Sequence, residues 1–149
     1  MSENPIICWF RQDLRLADNP ALTHAAESGK PVVALYILDE LSPGIRPMGA
    51  AQKWWLHHAL ADLANNLNQA GTPLILRSGA AADVVAKVME ETSADAIVWN
   101  RRYGEAEQSV DRDIKSAYDD ARSFDGLLMH EPARVRTGSD KPYKVYTPF

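Results

Sequence analysis

Short apolar runs alternate with longer amphipathic segments along this chain, and turn residues mark each change of pattern. Ile6–Phe10 (IICWF) is apolar at every position, as a strand buried on both faces should be. Asn19-Pro20 then starts a helix. The Asn side chain can accept from an orphan N–H, and Pro at the first helical position lacks a donor that is not needed there. That helix runs to about Ser28, where Gly29 stops it and Pro31 bars continuation. Val32–Leu38 (VVALYIL) is the second strand. The loop DELSPGIRPMG leads into the longest helix, Ala50–Gln69, whose Leu56, Leu60, Leu63 and Leu67 form one stripe. Gly71 and Pro73 end it as Gly29 and Pro31 end the first.

Residues 74–76 read as a third strand. Residues 83–91 lie in a helix with Val84, Val85, Val88 and Met89 facing in, and residues 96–99 are a fourth strand. Residues 105–121 form a helix with Val110, Ile114, Ala117 and Ala121 on its inner side, and residues 127–129 are a fifth strand. The tail from His130 is irregular. Strands joined by single helices are most simply parallel, with right-handed crossovers. The pattern therefore predicts an α/β fold: a Rossmann-like, doubly wound, five-stranded parallel sheet of order 3-2-1-4-5, with helices on both faces. Ligands of such sheets bind beyond the carboxyl ends of the strands where the order reverses. Here that is between strands one and four, at residues 11–15 and 100–103.

Composition narrows the function. The chain has 149 residues, 46% of them hydrophobic and 24% charged, which is ordinary for a soluble globular domain. A net charge of −4 argues against a free-standing nucleic-acid binder, which would show a basic face. Cys8 is the single cysteine, so no intrachain disulfide forms, and it reads as a small core residue in a reducing compartment. The first residues carry no leader pattern, and no apolar run approaches the roughly 20 residues of a membrane span. The expectation is a cytoplasmic protein with no membrane contact.

Candidate chemistry is sparse. No glycine-rich phosphate loop follows strand one, and there is no nucleophile elbow. His57 and His58 diverge by about 100° on their helix and cannot share a metal as an i, i+4 pair would. No catalytic residue and no metal are expected. Asp39-Glu40 and Glu105 with Glu107 stand at the ligand end of the sheet, either as ligand contacts or as solvated acids that complement helix dipoles. Trp54-Trp55 can pack in the core, serve a domain interface, or stack on a planar ligand. The knot Arg11-Gln12-Asp13-Leu14-Arg15 can be pinned by Asp13 accepting from one guanidinium, which leaves the other arginine for a ligand or partner.

These stretches carry a resemblance. WFRQDLRLADNPAL, ALYILDE, WWLHHALADL, VWNRRY and EPARVRTGSDKPYKVYTPF occur in this order, and together they resemble the DNA photolyase/cryptochrome family over essentially the whole chain. The resemblance implies that residues 1–131 are the N-terminal α/β domain and that 132–149 lead to a larger helical domain absent from this sequence, so that the chain is a single domain or a truncated product. In deoxyribodipyrimidine photolyases that helical domain holds FAD, binds damaged DNA, and splits pyrimidine dimers with a light-driven electron. The N-terminal domain often holds an antenna, which is a methenyltetrahydrofolate, a deazaflavin or a flavin. One folate pattern uses a histidine after strand two and an Asn-Glu pair after strand four. The aligned positions are Arg46, Ala106 and Glu107, of which only Glu107 matches.

The implied chromophore site comprises Arg11, Asp39, Arg46, Asn100 and Glu107. Asp13, Arg15, Trp54, Trp55, Tyr146 and Phe149 are the structural or docking residues. The chain alone is expected to be inactive and to self-associate in part through the apolar end of its tail. Two other readings are a cryptochrome-type blue-light photoreceptor domain and a free-standing nucleotide-binding α/β protein that would bind ATP or AMP. A further one is a domain that binds nothing and only packs on its partner.

Overall fold

A computed structural model describes residues 4–144. Tyr146 and Phe149, expected at the docking tail, lie outside the described residues. The elements follow in the order β1 (Ile6–Phe10), α1 (Pro20–Glu27), β2 (Val32–Leu38), α2 (Ala50–Gln69), β3 (Leu74–Ser78), α3 (Ala81–Thr92), β4 (Ala96–Asn100), α4 (Glu105–Ala117) and β5 (Ala121–Phe124). A single 3-10 turn spans Pro132–Arg134. The strands make one five-stranded sheet of order β3-β2-β1-β4-β5, and every pairing is parallel, as the sequence pattern predicts.

β1 is central, with Cys8 registered against Ala34 of β2 and Val98 of β4. Its side chains alternate between two cores, the period-2 consequence of an extended backbone. Ile7 and Trp9 join Leu35, Ile97 and Trp99 under α3 and α4, which contribute Val84, Val85, Val88, Val110 and Ile114. Ile6, Cys8 and Phe10 join Ala34 and Val98 on the other face, under Ala21 and Ala25 of α1 and Leu63 and Leu67 of α2. Burial pushes the Cys8 thiol up, and the negative charge of Asp13 adds to the effect.

The local signals that start and stop helices act as the sequence indicates. Asn19 caps α1, its side-chain oxygen accepting from Leu22 N at 3.2 Å. Gly29 and Gly71, with φ of +76° and +81°, take the left-handed conformation that ends α1 and α2.

Four expectations are corrected. The fifth strand lies at Ala121–Phe124, not at residues 127–129, and α4 stops at Ala117. Asp119 and Asp120 would sit unfavourably at the negative end of the helix dipole, and Tyr118 already has extended dihedrals. As an edge strand paired on one side only, β5 packs Ala121 and Phe124 on opposite cores but carries Arg122 and Ser123 between them and lacks a continuous apolar run, whereas Leu128 and Met129 are exposed. Ala117, assigned to the inner side of α4, is exposed. The leucine stripe of α2 is only half used, with Leu63 and Leu67 buried and Leu56 and Leu60 half-buried.

Candidate functional site

The charged knot after β1 divides between two networks. In the first, Asp13 Oδ1 accepts from the Arg11 backbone N–H at 2.7 Å, and Asp13 Oδ2 accepts from Asn100 Nδ2 at 2.5 Å. Asn100 Nδ2 also donates to Asn19 Oδ1 at 2.7 Å, and Asn100 Oδ1 accepts from Ala21 N at 3.1 Å. Gly126 presses on this cluster, since a Cβ there would lie 2.4 Å from Asn100 Cγ. Arg15 closes the network by donating to the carbonyls of Asp18 and Gly126 at 2.9 and 2.7 Å. One buried carboxylate and two buried amides thus tie the ends of β1 and β4 to the start of α1.

Asp13 therefore pins the loop, but through a backbone N–H and an amide. The expected Asp13–guanidinium fork does not form, and neither arginine is left over. The Arg11 guanidinium turns the other way, toward α4, where it pairs with both oxygens of Asp111 and donates to the Asn100 carbonyl. It stacks 4.5 Å from the ring centre of Trp9. Trp99 Nε1 donates to Asp111 Oδ2 at 2.9 Å, and Arg102 approaches Asp111 Oδ1 at 3.5 Å. Burial pulls Arg11 down to about 10, although the Asp111 hydrogen bond favours its charge.

Above this pair lies an open cavity of about 960 Å³, formed by the tip of β2, the loop after it and the start of α4. Arg11, Asp39, Arg46 and Glu107 all line it, so four of the five expected chromophore residues come together. Asn100 does not line it, because its side chain is committed to the Asp13–Asn19 cluster. The loop is held by its acids. Asp39 Oδ1 accepts from Leu41 N and Ser42 N at 3.2 and 2.9 Å, and Glu40 accepts from Met48 N and Lys53 Nζ at 2.8 and 2.9 Å. The Lys53 hydrogen bond, then that from Met48 N, lowers the Glu40 pKa. Gly44, at φ +80°, lets the loop close on α4, since a Cβ there would stand 3.0 Å from that of Ala106.

The wall carries unused polar capacity. Asp39 Oδ2, Arg11 Nε and Arg102 Nε are buried without a hydrogen-bond partner. Trp9 Nε1, on a residue that does not line the cavity, is buried in the same way, so what the cavity itself offers a ligand are the charged groups that line it. Arg11, Arg46, Arg102 and Arg112 face Asp39, Glu105 and Glu107 around the space. Such a wall offers hydrogen bonds to both donors and acceptors of a polar heterocycle. Tyr36 adds an aromatic wall, and burial raises its hydroxyl pKa.

Trp54 and Trp55 are 65% and 72% exposed, so neither joins the leucine stripe and the core-packing alternative is overturned. Trp54 meets only the edge of the His58 ring among the aromatic contacts described, at 4.6 Å. Sequence reasoning placed Arg102 only within the stretch 100–103 and missed Arg112 and Asp111. A signal for Asp111 existed: it follows Val110 on the inward side of α4, where a carboxylate needs a buried partner. No group of metal-ligating side chains occurs among the described residues, and none of their helices is long and apolar enough to cross a membrane.

Comparison with known proteins agrees with this geometry. The family model for DNA photolyase matches residues 6–149. A deoxyribodipyrimidine photo-lyase of Agrobacterium fabrum is 49% identical over 97% of this chain and 30% of its own length. Cryptochrome-1 of Arabidopsis thaliana is 35% identical over 96% of this chain and 22% of its own length. The crystal structure of a bacterial class III photolyase from Agrobacterium tumefaciens superposes with a TM-score of 0.89 at 46% identity, covering 99% of this chain and 31% of that one. The chain thus spans about a third or less of these relatives. A parallel sheet of this order, a ligand-sized cavity over its switch point and a family match from β1 onward converge: the chain belongs to the DNA photolyase family, with the fold of its N-terminal α/β domain.

Proposed function

We propose that this chain is the light-harvesting and docking domain of a DNA photolyase, and that the cavity at the strand tips holds a planar antenna chromophore. One observation carries the reading: Arg11, Asp39, Arg46, Arg102 and Glu107 line one cavity at the switch point. When bound, the chromophore absorbs light and passes the excitation to FAD. The residues of this chain bind and orient it. Asp39 and Glu107 accept from ring N–H groups, and Arg46 and Arg102 meet an anionic ring oxygen or carboxylate. A methenyltetrahydrofolate, a deazaflavin or a flavin suits such a wall.

The parent protein is then a light-driven, FAD-dependent lyase that breaks the carbon–carbon bonds of pyrimidine dimers. FAD and damaged DNA belong to a helical domain reached through residues 132–149, with residues 1–131 as the antenna unit. The chain alone holds no catalytic residue, is inactive, and works in the cytoplasm. A cryptochrome-type photoreceptor is the second reading, favoured by the 35% identity to Cryptochrome-1. For the chromophore's place there is also a second position, the exposed Trp54-Trp55 pair, whose indole faces are available for stacking.

Titration with riboflavin, folic acid and ATP, followed by ligand absorption and fluorescence, tests the assignment. A flavin or folate should bind, and Arg46→Ala with Glu107→Ala should weaken it about 10-fold or more. Loss of binding in Trp54→Ala instead would move the chromophore to α2. Binding of ATP alone would support a free-standing nucleotide-binding protein.

A further inference from the structure

A second cavity, of about 510 Å³, adjoins the first along α4. It lies between the loop after β4, the outer side of α4 and β5. Four cations line it, Arg101, Arg102, Arg112 and Lys115, against the carboxylates of Asp111 and Glu131. Both carboxylates are already engaged. Asp111 is held by Arg11 and Trp99, and Glu131 accepts from the Tyr103 hydroxyl and pairs with Arg101 at 3.4 Å. Arg112 has no side-chain hydrogen bond or ion pair among the described residues, and the Lys115 ammonium donates to a neutral group, Ser123 Oγ, at 2.6 Å. Arg101 also pairs with Asp125, so the positive charge left without an ion pair is that of Arg112 and Lys115, in a chain of net charge −4. Burial first, then the charge of Arg101, lowers the Lys115 pKa.

Arg102 and Arg112 line both cavities, so the two spaces share a wall made of guanidinium groups. Arg102 Nε is buried there without a partner. We propose that the smaller cavity is the subsite for the anionic tail, a phosphate or a carboxylate, of one elongated ligand whose planar ring occupies the larger cavity. The inference rests on the antenna reading of the larger cavity and adds to it the chemistry of the other end of the molecule. Planar guanidinium forks and a lysine point charge are the groups that hold such oxyanions.

Two pairs of probes separate ring from tail: riboflavin against FMN, and folic acid against its pentaglutamyl form. Within a pair the ring is the same and only the anionic tail differs. Affinities are read by fluorescence quenching on the whole chain. In the pair that binds, the more anionic member should bind at least about 10-fold tighter. Lys115→Glu, which alters only the smaller cavity, should abolish that preference and leave the affinity of the less anionic member unchanged. Lys115→Gln keeps a hydrogen bond to Ser123 within reach and should fall between them, which guards against a folding artefact. Equal affinities within a binding pair, or equal weakening of both members by Lys115→Glu, would overturn the tail subsite and leave the antenna reading standing. Failure of all four probes to bind would overturn both.

Discussion

Asp111 is a meeting point of buried charge. It faces the Arg11 guanidinium, the Trp99 N–H and Arg102, with its side chain 11% exposed and that of Arg11 5% exposed. Removing one member of a buried pair leaves the other charged without a counterpart, which costs about 3–5 kcal/mol. Asp111→Ala should therefore lose that much stability in urea denaturation. Asp111→Asn should lose less, because an amide oxygen can still accept from Trp99. A loss below about 1 kcal/mol for Asp111→Ala would mean that Arg11 swings into the cavity and rehydrates.

Tyr103 offers a pH test at the same scale. Burial, then its hydrogen bond to Glu131, pushes the phenol up from 10.0 to about 12. The folded chain holds this proton more tightly than the unfolded one. Its contribution is therefore complete below about pH 10 and is lost as pH rises toward 12. Tyr103→Phe should cost about 1 kcal/mol at neutral pH and flatten the alkaline limb of the stability curve. An unchanged alkaline limb would show that another group titrates there.

At the scale of elements, α2 is longer than the sheet it covers. Its 20 residues extend about 30 Å, against about 17 Å for the five residues of β1. Leu63 and Leu67 bury the carboxyl-terminal half, and Trp54 and Trp55 stand on the half with no sheet beneath it. Two exposed indoles on one helix are not explained by the stability of this domain. Trp54→Ala and Trp55→Ala should each shift stability by less than about 0.5 kcal/mol in thermal melts. A loss above about 2 kcal/mol would instead reveal packing of α2 against this domain.

For the whole molecule, the distribution of charge matters more than its total. The chain is net acidic, yet arginines collect around the two cavities at the carboxyl ends of the strands. A field of that kind favours anions at the switch point, as the proposed ligand requires. The tail residues Tyr143, Val145, Tyr146 and Phe149 are rich in apolar surface, and in a two-domain photolyase they would face the second domain. Light scattering on the chain should show partial self-association, relieved by deleting residues 132–149. A monomer at all concentrations would argue against the tail as a contact surface.

The order of elements, the parallel sheet and the end of the sheet at which the large cavity lies were legible in the sequence. They depend on short-range chemistry: fully apolar strands, an Asn-Pro helix start, Gly-Pro stops and the handedness of crossovers. Arg11, Asp39, Arg46 and Glu107 could be placed at one cavity for the same reason, since each closely follows a strand or opens the helix after it. β5 escaped because it is an edge strand of only four residues with one partner and with Arg122 and Ser123 in its middle, so its residues resemble those of a loop. The tertiary structure alone decided who pairs with whom. Arg11 takes Asp111, 100 positions away, and leaves the nearby Asp13 to an amide from β4. Loop acids two residues apart cannot compete with a carboxylate that the packing of α4 holds against the arginine's own strand. The second cavity arises in the same way, because its cations come from a loop and a helix that become neighbours only when the sheet is complete.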